Sequence, residues 1–142
     1  MAFFYFAPME HIEHLGIAVK DLAASIPVYE KLLNTKCYKR EAVDSENVIT
    51  AFFQTSNNKI ELLQATSDES AIAKFIDKKG EGVHHVAYAV SDIHAEMERL
   101  KKDGFRILNN QPKRGADNKL ICFVHPKDAS GVLTELCQEI SE

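Results

Sequence analysis

The sequence predicts an α+β fold built from two βαβββ modules. Three observations carry this. His14 to Leu22 reads H-L-G-I-A-V-K-D-L, and His85 to Ile93 reads H-V-A-Y-A-V-S-D-I. E-L-L-Q at Glu61 to Gln64 returns as E-L-C-Q at Glu135 to Gln138. Between each opening histidine and its E-L motif, the periodic segments follow in the same order. A single module would leave one sheet face uncovered, so the two copies are expected to pair.

The elements follow from pattern and punctuation. Residues 1–9 read as an N-terminal extension, because M-A-F-F-Y-F-A-P is apolar but too short and too poor in basic residues for a signal peptide, and Met9-Glu10 is itself a plausible start. The first module spans 10–68. Its opening strand, His11 to Val19, alternates as a half-buried strand does. Asp21 then stands where a helix N-cap belongs, before apolar residues Ile26, Tyr29, Leu32 and Leu33 at helical spacing. Pro27 must fall in the first turns of that helix, where a missing N–H does least harm. Strands follow near Cys37 to Val43, Val48 to Gln54 and Lys59 to Gln64, with Asn57-Asn58 as the turn between the last two. A bridging helix, within 69–82, covers Glu69 to Lys79 and stops at Gly80 and Gly82. The second module, 83–142, repeats the order. Strand Val83 to Val90 precedes Asp92, helix Ile93 to Lys102 and Gly104. Strands near Arg106 to Asn109, Leu120 to His125 and Gly131 to Gln138 complete it, with a polar, mobile loop from Gln111 to Lys119.

Composition narrows the function classes. The chain has 142 residues, 45% hydrophobic and 27% charged, enough for one domain with a proper core. A net charge of −4 speaks against a nucleic-acid partner. No apolar run is long enough to span a membrane. Cys37, Cys122 and Cys137 are odd in number and widely spaced, which fits reduced thiols in a cytoplasmic protein better than a disulfide framework or a zinc cluster.

The duplicated residues carry the chemistry. A lone strand histidine is more often a hydrogen-bonded structural group than a ligand, and a lone Glu in K-I-E-L-L can simply face solvent. A structural residue has no reason to recur with its partner in both copies, however. Glu135, within V-L-T-E-L-C, is flanked by apolar neighbours, and a buried carboxylate needs a compensating partner. His14, Glu61, His85 and Glu135 are therefore the candidate set for one divalent metal: Co, Mn, Ni, Fe or Zn suits mixed imidazole and carboxylate donors. An octahedral ion would keep two positions open for a bidentate substrate. Strand alternation places His84 and His85 on opposite faces, and the repeat selects His85. His11 faces away from His14, His94 sits on an exposed helix, and His125 reads as a turn-packing residue.

The pattern H-x-G-x-A-V-x-D-L, duplicated with paired E-L motifs, resembles the vicinal oxygen chelate superfamily. Within it, E-H-L-G-I-A-V-K-D-L, N-K-I-E-L-L, D-E-S-A-I-A-K-F-I, G-E-G-V-H-H-V-A-Y and F-V-H-P-K-D-A-S-G-V-L-T-E-L resemble the methylmalonyl-CoA epimerases, from about residue 10 onward. The resemblance implies a curved, open sheet around the metal, with His14, Glu61, His85 and Glu135 as ligands. Several bacterial epimerases carry Gln at the position of Glu61. The implied activity is interconversion of (2R)- and (2S)-methylmalonyl-CoA by proton transfer at the α-carbon, through a metal-stabilised enolate. An acyl-CoA substrate and a homodimer go with it. Inversion needs proton exchange on both faces. Glu135 and Glu61 are the candidate groups, because the Glu base of many bacterial epimerases falls on Thr50 here. Glu46 would share Thr50's face, but four residues along a strand is about 13 Å. Lys113, Arg114 and Lys127 lie in loops that coenzyme A phosphates could approach, although a solvated charged loop is the simpler reading. Two other classes remain in view: another lyase or isomerase of the superfamily, such as a glyoxalase I, and a metal-free small-molecule-binding protein.

Overall fold

The computed structural model describes residues 8–141. The N-terminal extension expected at 1–9 therefore lies almost entirely outside the described residues. Strand β1 (Ile12–Ala18), helix α1 (Leu22–Leu33), strands β2 (Lys39–Val43), β3 (Val48–Gln54) and β4 (Lys59–Ala65) form the first half. Helix α2 (Ala71–Lys79) leads to the second: β5 (Gly82–Ala89), α3 (Ile93–Lys102), β6 (Lys113–Arg114), β7 (Lys119–Val124) and β8 (Thr134–Glu139). These strands make one sheet in the order β2-β3-β4-β1-β5-β8-β7-β6. The order is symmetric about its centre. There β1 and β5 run antiparallel, and each is flanked by its own unit's last strand in parallel.

Strand alternation sorts side chains between two faces. Ala51, Phe53 and Leu62 turn toward α1 and pack with Leu22, Ile26, Tyr29 and Leu33. Cys122, Val124 and Leu136 turn toward α3 and pack with Ile93, Met97 and Leu100. Leu62 and Leu136 are wholly buried, each contributing about 1.5–3 kcal/mol relative to exposure. The in-between residues, among them Thr50, Glu61, Phe123 and Glu135, are turned to the opposite face. Along one edge of that face Ile72 of α2 packs with Ala18, Val48 and Leu63.

The helix starts show why the E-L-x-Q echo extends to its last residue. Asp21 caps α1 through Ala23 N–H at 3.0 Å, and Asp92 caps α3 through Ala95 N–H at 3.1 Å, as expected. In addition, the Leu22 N–H donates to the Gln64 side chain at 2.6 Å and the Ile93 N–H to Gln138 at 2.7 Å. Each glutamine thus satisfies one orphan donor at a helix start and pins that helix to the last strand of its own unit.

Four details differ from expectation. Arg106 to Asn109 is not a strand but makes a single bridge, Ile107 to Val124. The following residues, Asn109-Asn110-Gln111-Pro112, are turn formers, and Pro112 has no N–H for a ladder. The loop from Gln111 to Lys119 contains β6 and is tied down rather than free. Asp117 accepts from Tyr38 at 3.0 Å and from Lys59 at 2.9 Å, and its own N–H donates to Glu41 at 2.9 Å. The last strand begins at Thr134, because a 3-10 turn over Pro126–Ala129 is closed by Ser130 and Gly131, both at positive φ. Leu32, expected on the packed face of α1, is 68% exposed.

Candidate metal centre

Two rows of residues cross the centre of the sheet. In one, Phe52, Glu61, Gly16 and His85 stand opposite one another on β3, β4, β1 and β5. In the other, His14, Ala87, Glu135 and Phe123 do so on β1, β5, β8 and β7. Each row reads as an aromatic, a carboxylate, a small residue and an imidazole. The small residue is a physical requirement: a Cβ built on Gly16 would lie 2.1 Å from the His85 ring. The "G" of H-L-G is thus a clearance over which His85 reaches Glu61.

The four residues are each at least 95% buried, and their side chains meet at the centre. The His14 and His85 Nε2 atoms are 3.2 Å apart. Glu61 Oε1 lies 3.3 Å from His14 Nε2 and 3.6 Å from His85 Nε2. Glu135 Oε1 lies 3.6 Å and 3.2 Å from the same two atoms. Donors at about 2.0–2.2 Å from one ion are roughly 3–3.6 Å from each other, so these spacings fit a metal. The ligand atoms of His14, His85 and Glu135 all lie within 4.8 Å of one another. Glu61 shares both imidazole contacts. Two ring nitrogens facing each other and two carboxylates is also a donor set that an ion reconciles.

The electrostatics express the same crowding. Burial opposes charge on His85, but hydrogen bonds to Glu135 and Glu61 outweigh it and raise its pKa to about 9. Burial likewise opposes charge on His14, but hydrogen bonds to Glu13, Glu135 and Glu61 outweigh it and raise its pKa well above the ordinary value. Burial opposes ionisation of Glu135, yet the two imidazoles hold it down at about 2, and they lower Glu61 as well.

Alternation did not separate the paired histidines as expected. The β1–β5 register shifts between Gly16 and Ile17, leaving His84 as an extra residue on β5. His84 consequently turns to the cavity beside His85, its Nδ1 3.0 Å from His85 Nδ1. The other histidines behave as read. His11 and His94 are exposed, and His125 caps the turn after β7 by accepting from the Lys127 N–H.

Glu46 does not lie on a strand with Thr50, as the strand spacing assumes. It lies in a 3-10 turn, Asp44–Glu46, between β2 and β3, and lines the same cavity as Thr50, where it pairs with Lys113. The missed signal was the D-S-E-N run, a turn sequence, with Asn47 at φ 54° closing it. Thr50 is buried and donates to the Glu41 carbonyl at 3.3 Å. Glu13, which no sequence motif marks, accepts from His14 Nδ1 at 2.6 Å. Arg114 bonds to Asn118 at 3.0 Å, and Lys127 is exposed.

A symmetric two-unit sheet with paired imidazoles and carboxylates at its centre has counterparts among known proteins. The profile of the Glyoxalase/Bleomycin resistance protein/Dioxygenase superfamily matches residues 13–123, and the chain belongs to that superfamily. More narrowly, it is 40% identical over 129 residues to the ethylmalonyl-CoA/methylmalonyl-CoA epimerase of Cereibacter sphaeroides, covering 89% of this chain and 96% of that one. The methylmalonyl-CoA epimerase of Mycobacterium tuberculosis superposes with a TM-score of 0.92 at 35% identity, over 98% of this chain and 94% of its own. A variant of the Streptomyces coelicolor methylmalonyl-CoA epimerase, in complex with 2-nitronate-propionyl-CoA, gives 0.89 at 34% identity, over 94% and 100%.

Proposed function

We propose that this protein is a methylmalonyl-CoA epimerase that depends on a divalent metal held by His14, Glu61, His85 and Glu135. The observation that carries the reading is the convergence of four buried donors from two symmetric rows on one point. Co, Mn, Ni and Zn all suit this donor set. A bound ion would supply Lewis acidity to the substrate's carboxylate and thioester oxygens, and so acidify the hydrogen between them.

The protein's own groups would do the rest. Inversion removes a proton from one face of a carbon and returns one to the other, so it needs a group on each side. Glu61 and Glu135 belong to opposite halves of the sheet and approach the centre from both. Thr50 offers no carboxylate there. Val48, Leu63 and Ile72 form an apolar wall of the cavity that excludes water and suits an alkyl substituent. An acyl-CoA substrate accords with the coenzyme A ligand of the S. coelicolor relative. A nitronate is planar and anionic at the carbon that would lose its proton. The homodimer implied by the resemblance belongs to the same proposal and is read by light scattering.

Circular dichroism of epimerically pure (2S)-methylmalonyl-CoA tests the activity. The metal-loaded protein is expected to shift the signal to that of the equilibrated epimers, a chelator to stop the change, and one divalent ion to restore it. Turnover of methylglyoxal with glutathione, and none of methylmalonyl-CoA, would instead assign a glyoxalase I. A protein that takes up no metal on reloading and turns over neither would be a binding protein.

A further inference from the structure

Both register shifts between β1 and β5 fall immediately beside a central histidine. Ile12 pairs with Tyr88 and His14 with Ala87, which leaves Glu13 as the extra residue on β1. Gly16 pairs with His85 and Ile17 with Val83, which leaves His84 as the extra residue on β5. In a regular strand these two side chains would point away from the site. A bulge instead turns each to the same side as the histidine that follows it. Glu13 Oε1 then sits 2.6 Å from His14 Nδ1, and His84 Nδ1 sits 3.0 Å from His85 Nδ1. The opposite ring atoms, the two Nε2, meet at the centre.

We propose that Glu13 and His84 are positioning residues, delivered by twin β-bulges, that hold His14 and His85 in the Nδ1–H tautomer with both Nε2 lone pairs aimed at the metal. This rests on the reading of the four donors as a metal site. An imidazole that ligates through Nε2 must carry its proton on Nδ1, and that proton needs an acceptor. A carboxylate can only accept, so Glu13 fixes the His14 tautomer outright. His84 accepts through its own Nδ1, which leaves its proton on Nε2. Its ring is steadied edge-on against Phe75, centroids 5.0 Å apart. The two acceptors differ in charge. Glu13 has its other oxygen 2.7 Å from Lys59, and Lys59 is held in turn at 2.9 Å by Asp117 from the second half of the sheet. His84 is an uncharged acceptor, so the carboxylate is the stronger of the two.

Chelator competition on the purified holoprotein measures the effect, with zinc as probe. Glu13→Ala is expected to weaken zinc binding about 10–100-fold, and His84→Ala less. Glu13→Gln, whose amide oxygen still accepts from Nδ1–H, is expected to restore most of the loss. Lys59→Met removes the ion pair but keeps the acceptor, and is expected to cost much less than Glu13→Ala. Nitrogen-15 correlation spectra of the zinc-loaded wild type are expected to place protons on Nδ1 of His14 and His85 and on Nε2 of His84. Unchanged affinity in Glu13→Ala would overturn the proposal, as would equal losses in Glu13→Ala and Lys59→Met, or a proton on His14 Nε2. A wild type that binds no zinc would remove the metal reading itself. Tight wild-type binding with an indifferent Glu13→Ala would remove only this inference.

Discussion

Glu135 and Glu61 meet the same two imidazoles at nearly the same distances, from opposite sides of the sheet's centre. If both move protons, Glu135→Ala and Glu61→Ala should each reduce turnover at least about 100-fold, the usual lower bound for a lost general acid or base. Steady-state assay at saturating metal checks this separately from metal loading. Gly16 makes a sharper test because it has no functional group. A methyl placed 2.1 Å from the His85 ring must displace that ring. Gly16→Ala should therefore weaken metal binding on the order of 10–100-fold, as disturbed ligand orientation generally does, with little change in far-UV circular dichroism. Both histidines and both glutamates were legible in the sequence because duplication marks them. Glu13, Glu46 and the orientation of His84 were not, because each depends on a bulge or a turn, where the period-2 rule that relates sequence to facing no longer holds.

At the level of elements, the repeated glutamines couple helix to strand. Removing either Gln64 or Gln138 leaves a helix N–H without its partner and should cost about 1 kcal/mol of stability. Urea unfolding of Gln64→Ala and Gln138→Ala checks this, and the two losses should be similar because the contacts are equivalent. Most elements of the fold follow from periodicity and caps. Asp21 and Asp92 mark helix starts, alternation marks β1 and β5, and apolar runs between turn signals mark β3, β4, β7 and β8. The edge after α3 was the exception. R-I-L-N has a strand's composition, but Asn109 turns inward to accept from the Phe123 N–H at 2.9 Å, so side chain replaces backbone in the ladder. The pinning of the following loop by Asp117 is likewise invisible to local pattern, since its partners Tyr38, Lys39 and Lys59 belong to the other unit.

For the whole molecule, the centre joins the two halves, and an ion bound there should stabilise the fold by mass action. A free ion concentration 100 times the dissociation constant contributes about 2.7 kcal/mol, so chelation should lower Tm. The pH dependence has a definite sign. Hydrogen bonding raises His85 to about 9 and His14 well above its ordinary value, which favours protons on both rings in the metal-free protein. An ion must displace them, because it takes neutral imidazole. Binding should thus release protons, and affinity should fall about tenfold per pH unit for the His85 proton as pH drops below about 9. Titration calorimetry in buffers of different ionisation enthalpy reads the proton count. Among the described residues no helix is long and apolar enough to cross a membrane. The symmetry of the sheet accounts for a single site with two opposed carboxylates, and its chemical consequence can be read on one atom. Proton NMR of methylmalonyl-CoA in deuterium oxide follows the α-hydrogen. With the metal-loaded protein that signal should disappear as deuterium enters from solvent, and Glu61→Ala or Glu135→Ala should slow the loss. An α-hydrogen that persists at every metal loading would contradict proton transfer at this centre.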